Sequence, residues 1–158
     1  MASDYLLEID GIKGEATDER HPGSLEIESF SWGLTNVGSS AGGSGGGVGR
    51  STFQDIHFTK SVDKASPQLF LSCAKGEHIK KATLFVRKAG GQQTEYYTVQ
   101  LDDVLISDFK SGGANNAVPM DEFSMNFGKI TFTVRTQGVK GDSTPVSASW
   151  DLKANKAT

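Results

Sequence analysis

Alternation of apolar and polar residues runs along most of this chain and limits what it can fold into. A period of two places successive side chains on opposite faces, which predicts β-strands with one buried face. Seven such strands are predicted, near residues 5–9, 25–34, 53–62, 81–88, 94–109, 122–135 and 146–152. We therefore expect a mainly β, antiparallel protein.

Three of the longer runs change phase midway. In residues 122–135 the apolar side chains move from odd to even positions on either side of Gly128, and residues 25–34 and 94–109 show the same change. One extra residue turns every following side chain to the other face, and a β-bulge corrects this while bending the strand. The alternative is that a run consists of two short strands joined by a turn. The sequence favours bulges, because no turn dipeptide lies at the junctions within residues 25–34 and 94–109.

Bent strands of this kind favour a compact β-barrel made of two bent antiparallel sheets. The adjacent carboxylates Asp102 and Asp103 lie at one of the junctions. Neighbouring residues on a strand point to opposite faces, so this pair indicates a bulge and not a pair of acid–base groups.

One short α-helix is predicted after the third strand. Ser66 is a suitable N-cap and Pro67 suits the first helical position. Leu69 and Cys73 recur at helical spacing, and Gly76 can end the helix. We expect this helix to cover one opening of the barrel.

Residues 38–49 form a segment with seven glycines. It buries too little apolar area to offset its own ordering entropy. A phosphate-binding loop is excluded, because Arg50 replaces the required lysine, Ser44 stands where the first glycine belongs, and a strand follows instead of a helix. Two interpretations of this segment stay open: a flexible loop, or a loop that becomes ordered against a neighbouring subunit.

The chemistry-bearing side chains do not form a recognisable catalytic or metal motif. Cys73 is predicted to be a core thiol, and His78 lies beyond the helix, which argues against a nucleophile–base pair. His21, His57 and His78 lack the paired spacing of metal ligands. We expect no cofactor, no metal and no enzymatic activity.

Charge and hydropathy exclude several classes of partner. The net charge is −3 with no basic block, so no nucleic acid is expected. No apolar run is long enough to insert into a membrane, and the N-terminus lacks the features of a signal peptide. The lone cysteine indicates folding in a reducing compartment. Export, if it occurs, is expected to follow folding in the cytoplasm.

Several segments carry a resemblance to a known family. GIKGE, FSWGL, the glycine-rich segment, EYYTVQLDDVLISDF and the continuous block TFQDIHFTKSVDKASPQLFLSCAKGEHIKKATLFVRKAGG resemble the Hcp family in identity, order and spacing. These are the haemolysin-coregulated tube proteins of type VI secretion. The resemblance covers nearly the whole chain, residues 1–158, and implies one tube domain with a β-barrel similar to that of phage tail-tube proteins.

The resemblance also implies an assembly. Six copies would form a head-to-tail homo-hexameric ring, and rings would stack into a tube inside a contractile sheath. The tube would carry a VgrG-like spike protein and cargo effectors, which the ring protects as a chaperone would. The chain would assemble in the bacterial cytoplasm and be secreted to the outside or into a target cell without a signal peptide.

Two sets of residues are candidates for assembly contacts. The extended loop of the family, associated with contacts between subunits or rings, corresponds to Gly38, Gly42, Gly43, Gly45, Gly46, Gly47, Val48, Gly49 and Arg50. Strand parity supplies the second set. If Phe30, Trp32 and Leu34 face the core, then the intervening small side chains face away from it, as do alternate residues of the later strand. Candidate channel-lining residues are Ser29, Ser31, Thr131 and Thr133, which equally well meet solvent outside a ring.

Other functions stay open at this point. A barrel that binds a small ligand inside, as lipocalins do, would be a monomer with a cavity. A phage-like tail-tube protein would share the ring. A tube protein that acts as a toxin would need a catalytic domain, for which 158 residues leave little room.

Overall fold

A computed structural model describes residues 3–37, 50–88, 94–137 and 143–158. Within this part of the chain the strands are β1 (Ser3–Ile9), β2 (Leu25–Glu26), β3 (Ser29–Ser31), β4 (Leu34–Asn36), β5 (Ser51–Phe53), β6 (Ile56–Ser61), β7 (His78–Lys88), β8 (Glu95–Gly112), β9 (Met120–Gln137), β10 (Ser143–Asp151) and β11 (Lys156–Ala157). Helix α1 spans Ser66–Lys75. The mainly β prediction is confirmed.

All strand pairs are antiparallel, and β9 joins the two walls of the barrel. The strand order β11-β10-β9-β8-β7-β1-β2 forms one wall. The first half of β9 pairs with β6, which pairs with β3, and these strands form the other wall with the second half of β8. Strands β4 and β5 pair separately. The predicted barrel of two bent antiparallel sheets with one short helix is confirmed.

The bend lies where β8 and β9 change phase together. Leu101 pairs with Ile130 and Val104 pairs with Phe127, so the register is the same before and after the junction. Asp103 has a φ of 57°, in the left-handed region. The predicted bulges at these two junctions are therefore wrong. Both strands turn their buried face over at the same place, and neither strand has an inserted residue there.

Gly128 makes this double flip possible. A Cβ at Gly128 would lie 3.1 Å from Asp103 Oδ2 and 3.2 Å from Asp103 Cβ, closer than most side-chain contacts. A one-residue register shift does occur in β8, but it lies between Ile106 and Asp108. The extra residue there adds to the bend.

The predicted strand at residues 25–34 is divided among three partners, β1, β6 and β5. The chain changes walls at one point: the Ile27 amide donates to Tyr5 O at 2.9 Å, and the Glu28 amide donates to Thr59 O at 2.8 Å. A bulged continuous strand is thus wrong here, and the alternative of short joined strands is correct. Leu34, predicted to be core, is 50% exposed because its strand leaves both walls.

Aromatic side chains fill the space between the walls. Phe58 and Phe123 are fully buried and stack with ring centroids 5.2 Å apart. Phe127 is buried as well, and Phe30, Trp32 and Trp150 are partly buried against the same cluster. Phe30 and Trp32 therefore face the core, as strand parity predicts.

Helix α1 begins differently from the prediction. Its N-cap is Ala65, and no side chain caps it. Ser66 is the first helical residue, and its hydroxyl accepts a hydrogen bond from the Asp63 amide at 3.0 Å. The helix ends as predicted at Gly76, which has a φ of 63°.

A buried ionic network explains why Ser66 does not serve as the cap. Lys60 and Asp121 are both 0% exposed, and Lys60 Nζ donates to Asp121 Oδ2 at 2.8 Å, to Asp63 Oδ1 at 2.8 Å and to Ser66 Oγ at 3.1 Å. The Ser66 hydroxyl in turn donates to Asp121. Burial alone would raise the pKa of the Asp121 carboxyl, but the hydrogen bonds from Lys60 and Ser66 outweigh it and lower that pKa. The network ties β6, β9 and α1 together.

Removing one partner of this network should destabilise the fold strongly. Asp121→Ala leaves the Lys60 ammonium buried without its main partner, and we expect a loss of about 3–5 kcal/mol in the free energy of unfolding. The double variant Lys60→Met/Asp121→Leu removes both charges and should recover most of that loss. Urea denaturation of the three proteins measures this. A double variant no more stable than Asp121→Ala would contradict it.

Candidate assembly surfaces

The two barrel walls have outer faces that point in opposite directions. Phe30 lies 5.4 Å from Tyr97 and Trp32 lies 5.2 Å from Phe132, measured between ring centroids. These contacts place β3 opposite the first half of β8, and Trp32 opposite the second half of β9, across the core. Alternate residues on each strand therefore point away from the core on opposite sides of the molecule.

The first outer face carries Ser29 and Ser31. Both are exposed, and the Ser29 and Thr59 hydroxyl oxygens lie 2.5 Å apart. Ser31 pairs across the strands with His57, whose Nδ1 lies 2.9 Å from Ser124 Oγ. This face is built from short polar side chains, linked by hydrogen bonds across β3, β6 and β9.

The second outer face carries Thr131 and Thr133. The Thr131 hydroxyl lies 2.8 Å from that of Ser149, and the Thr133 hydroxyl lies 2.9 Å from that of Ser147. The four candidate channel-lining residues therefore form two pairs on two faces. Parity along each strand predicted that each pair points away from the core, but it did not predict that the pairs are on opposite sides.

Most of the candidate interface loop lies outside the described residues. Of its members only Arg50 is described, and it is exposed directly before β5. The strands on either side of the loop pair with each other, with Asn36 opposite Ser51. The described residues on either side of the loop thus lie next to each other, at the paired ends of β4 and β5.

Among the residues that the structure describes, strand β10 has one open edge, which the alternation pattern did not predict. It pairs with β9 along its whole length, but on its other side β11 pairs only with Trp150 and Asp151. Residues 144–148 are all exposed. Every second backbone group of an edge strand points outward, so this stretch can accept another strand. Pro145 was the available signal, because proline within a strand is typical of an edge.

Residues 10–24 are held on the second wall by His21. Its Nδ1 lies 2.7 Å from Glu8 Oε1, its Nε2 lies 2.5 Å from Glu95 Oε1, and its ring stacks on Phe85 at 3.9 Å. Both nitrogens can donate together only in the imidazolium form. Burial lowers the pKa of His21, but the hydrogen bonds to Glu95 and Glu8 more than offset this, and the pKa is raised above 6.5.

A second ionic contact holds the same segment. Arg87 is 4% exposed; its Nη2 donates to Asp18 and its Nε donates to Asp4 Oδ2 at 3.4 Å. The hydrogen bond from Arg87 lowers the pKa of the Asp18 carboxyl from 3.8 to about 2. Local sequence patterns do not reveal Arg87 and Glu95 as partners of this segment, because more than 60 residues separate them from it along the chain.

The side chains considered for catalysis have other partners. Cys73 is partly buried against the core, and His78 Nδ1 lies 2.9 Å from Asp103 Oδ1. Within the described ranges, no three His, Cys, Asp or Glu side chains converge as metal ligands would. The described residues also include no helix of the length and apolarity needed to cross a membrane.

Comparisons with known proteins point to one family. The family model for "Type VI secretion system effector, Hcp" matches residues 6–134. Protein hcp1 of Pseudomonas aeruginosa is 36% identical over 159 aligned positions, which cover 98% of each chain. The crystal structure of Hcp1 from Salmonella typhimurium is 30% identical, with a TM-score of 0.82 and full coverage of both chains. A structure described as a type six secretion system protein has a TM-score of 0.92 at 23% identity, covering 99% of this chain and 100% of that one, and this supports the fold.

The raised pKa of His21 makes stability depend on pH. Because the folded pKa lies above that of the unfolded chain, the contribution of His21 is complete below about pH 6.5 and is lost as the pH rises through the folded value. In the wild type this contribution lowers the free energy of unfolding between about pH 5 and about pH 8. We expect that decrease to be absent in His21→Gln. Urea titrations at both pH values measure it. His78→Gln is the control, because it removes a histidine that is 78% exposed and lies outside this contact. Equal pH dependence in wild type and His21→Gln would refute the assignment.

Proposed function

The chain belongs to the Hcp family of type VI secretion system proteins, and from this we propose that it is the structural tube component of such a system. Six copies form a ring, and the rings stack into the tube that the system expels. The protein works by assembly and has no enzymatic activity. It assembles in the cytoplasm and is secreted from the cell.

The open edge of β10 is the observation that best supports a ring. This strand has five consecutive exposed residues, and one side of it is unpaired among the described residues, so its backbone groups can be satisfied by a neighbouring subunit. A contact between two different surfaces of the same chain closes into a ring when its rotation divides the circle.

The glycine-rich segment provides contacts between subunits or between stacked rings. Its residues from Gly38 to Gly49 precede Arg50, and both ends of the loop meet at the β4–β5 pair. A segment that orders only on contact with a neighbour suits a protein that polymerises on demand.

The channel is lined by the face that carries Ser29 and Ser31. This face presents short hydroxyl groups to solvent, which can hold a folded cargo without strong apolar adhesion. The opposite wall is partly covered by residues 10–24, held by His21 and Arg87, and is the less even surface. Thr131 and Thr133 then lie on the outside of the ring.

The partners that follow are a VgrG-like spike protein, the contractile sheath and cargo effectors. An interior ligand is not favoured, because stacked Phe58 and Phe123 occupy the centre of the barrel. A ligand-binding barrel needs that space to be open.

Ring formation is tested by the mass and shape of the purified protein. Light scattering coupled to size exclusion should give six subunits at high protein concentration, and electron micrographs should show annular particles. A monomer at every concentration, with no annular particles, would overturn the tube assignment.

The choice of channel face is tested by matched substitutions on the two walls. Ser31→Gln should leave the ring intact but reduce protection of a cargo effector several-fold, because the longer side chain projects into the channel. Thr133→Gln on the opposite face is the control and should protect cargo as wild type does. Limited proteolysis of the cargo in the presence of each ring measures this. The reverse pattern would place the channel on the second face.

A further inference from the structure

Charge is divided unevenly between the two ends of the strand order. The residues that include β1 and β2, 3–28, hold eight carboxylates and two Lys or Arg side chains. The described residues of the second half of β9, of β10 and β11, and of the chain after them, 129–137 and 143–158, hold four Lys or Arg side chains and one carboxylate. Because β2 and β11 are the last strands at either end, one edge of this wall is acidic and the other basic.

Three exposed glutamates lie at the acidic edge. Glu15, Glu26 and Glu28 are exposed and line one cleft of about 110 Å³ together with Asp63. In the part of the chain that the structure describes, none of these three glutamates forms an ion pair, whereas Asp63 is engaged by Lys60. We call Glu15, Glu26 and Glu28 the acidic surface.

The basic edge lies beside the open strand. Arg135 is exposed on β9 opposite Pro145, and Lys156 is exposed on β11 opposite Asp151. Neither side chain has an ion-pair partner among the described residues, whereas Lys153 pairs with Asp103. We call Arg135 and Lys156, with residues 144–148 between them, the basic surface.

We infer that the acidic surface of one copy binds the basic surface of the next and that this is the contact that closes the ring. Each chain carries both surfaces, so every copy offers one sign to each neighbour, as a head-to-tail contact requires. A two-fold contact of either surface with itself would place like charges together, which is unfavourable. The inference rests on the proposed ring and names the two surfaces that build it.

The partner in this contact is a second copy of the chain. The opposite charges of the two surfaces set how fast the copies associate, how they are oriented and how the contact depends on salt. Opposite charges speed the encounter of subunits and fix their orientation. The contact weakens as salt rises, since exposed charges are screened within about 10 Å at 0.1 M salt. The unpaired backbone of β10 then supplies hydrogen bonds that do not depend on salt.

The test uses two variants that each reverse one surface. Glu26→Lys/Glu28→Lys has two basic edges, and Arg135→Glu/Lys156→Glu has two acidic edges. Each alone should need about ten times more protein than wild type to form rings, because each contact now joins like charges. Mixed in equal amounts they should form rings at wild-type concentrations, since the two variants can alternate around the circle. Native mass spectrometry should then show three copies of each.

Controls separate this inference from the proposed function. A chain carrying all four substitutions should form rings by itself, and Lys80→Glu, an exposed reversal in the middle strand β7, should assemble as wild type does. Circular dichroism should show every variant folded. Wild-type rings with unaffected reversal variants, or a mixture no better than its components, would overturn the edge assignment alone. A wild-type protein that forms no ring would overturn the proposed function instead.

Discussion

The bend shared by β8 and β9 is the constraint on which the rest of this structure depends. Asp103 in the left-handed region and Gly128 opposite it turn the buried face of both strands over at the same place. One long hairpin thereby supplies both walls of the barrel, and its register is kept across the turn. The separation of the outer faces follows from this, because side chains of equal parity before and after the bend point in opposite directions.

Buried and half-buried charged side chains fix the positions of the helix and of residues 10–24, which the bend does not determine. Lys60 and Asp121 join the helix to the wall beside it, and Arg87 and His21 hold residues 10–24 against the other wall. These ionic contacts add to the apolar contacts of the same segments, since Leu69 of the helix and Ile12 and Ala16 of residues 10–24 are buried. Buried networks of this kind specify one arrangement as long as every partner is present.

The sequence was sufficient for the strands, the short helix and the aromatic core, because these follow from local periodicity and capping. It was insufficient where a residue's role depends on a distant partner. The fragmentation of residues 25–34 reflects a change of wall at Ile27 and Glu28, and the use of Ser66 in place of a cap reflects Lys60 and Asp121. Parity identified Ser29, Ser31, Thr131 and Thr133 as outward-facing strand positions, but their division between two faces depends on the bend, which periodicity alone does not determine.

Strand β9 bonds to β8 along nearly its whole length, to β6 in its first half and to β10 in its second half. A force along this strand therefore acts parallel to the hydrogen-bonded pairings on both of its sides. Many backbone hydrogen bonds must break together before the strand can move. The strand acts as a spine for the molecule, and mechanical load applied at one end of the barrel passes through it to the other. A part that is pushed as a rigid column benefits from such a spine, since its subunits transmit force without unravelling.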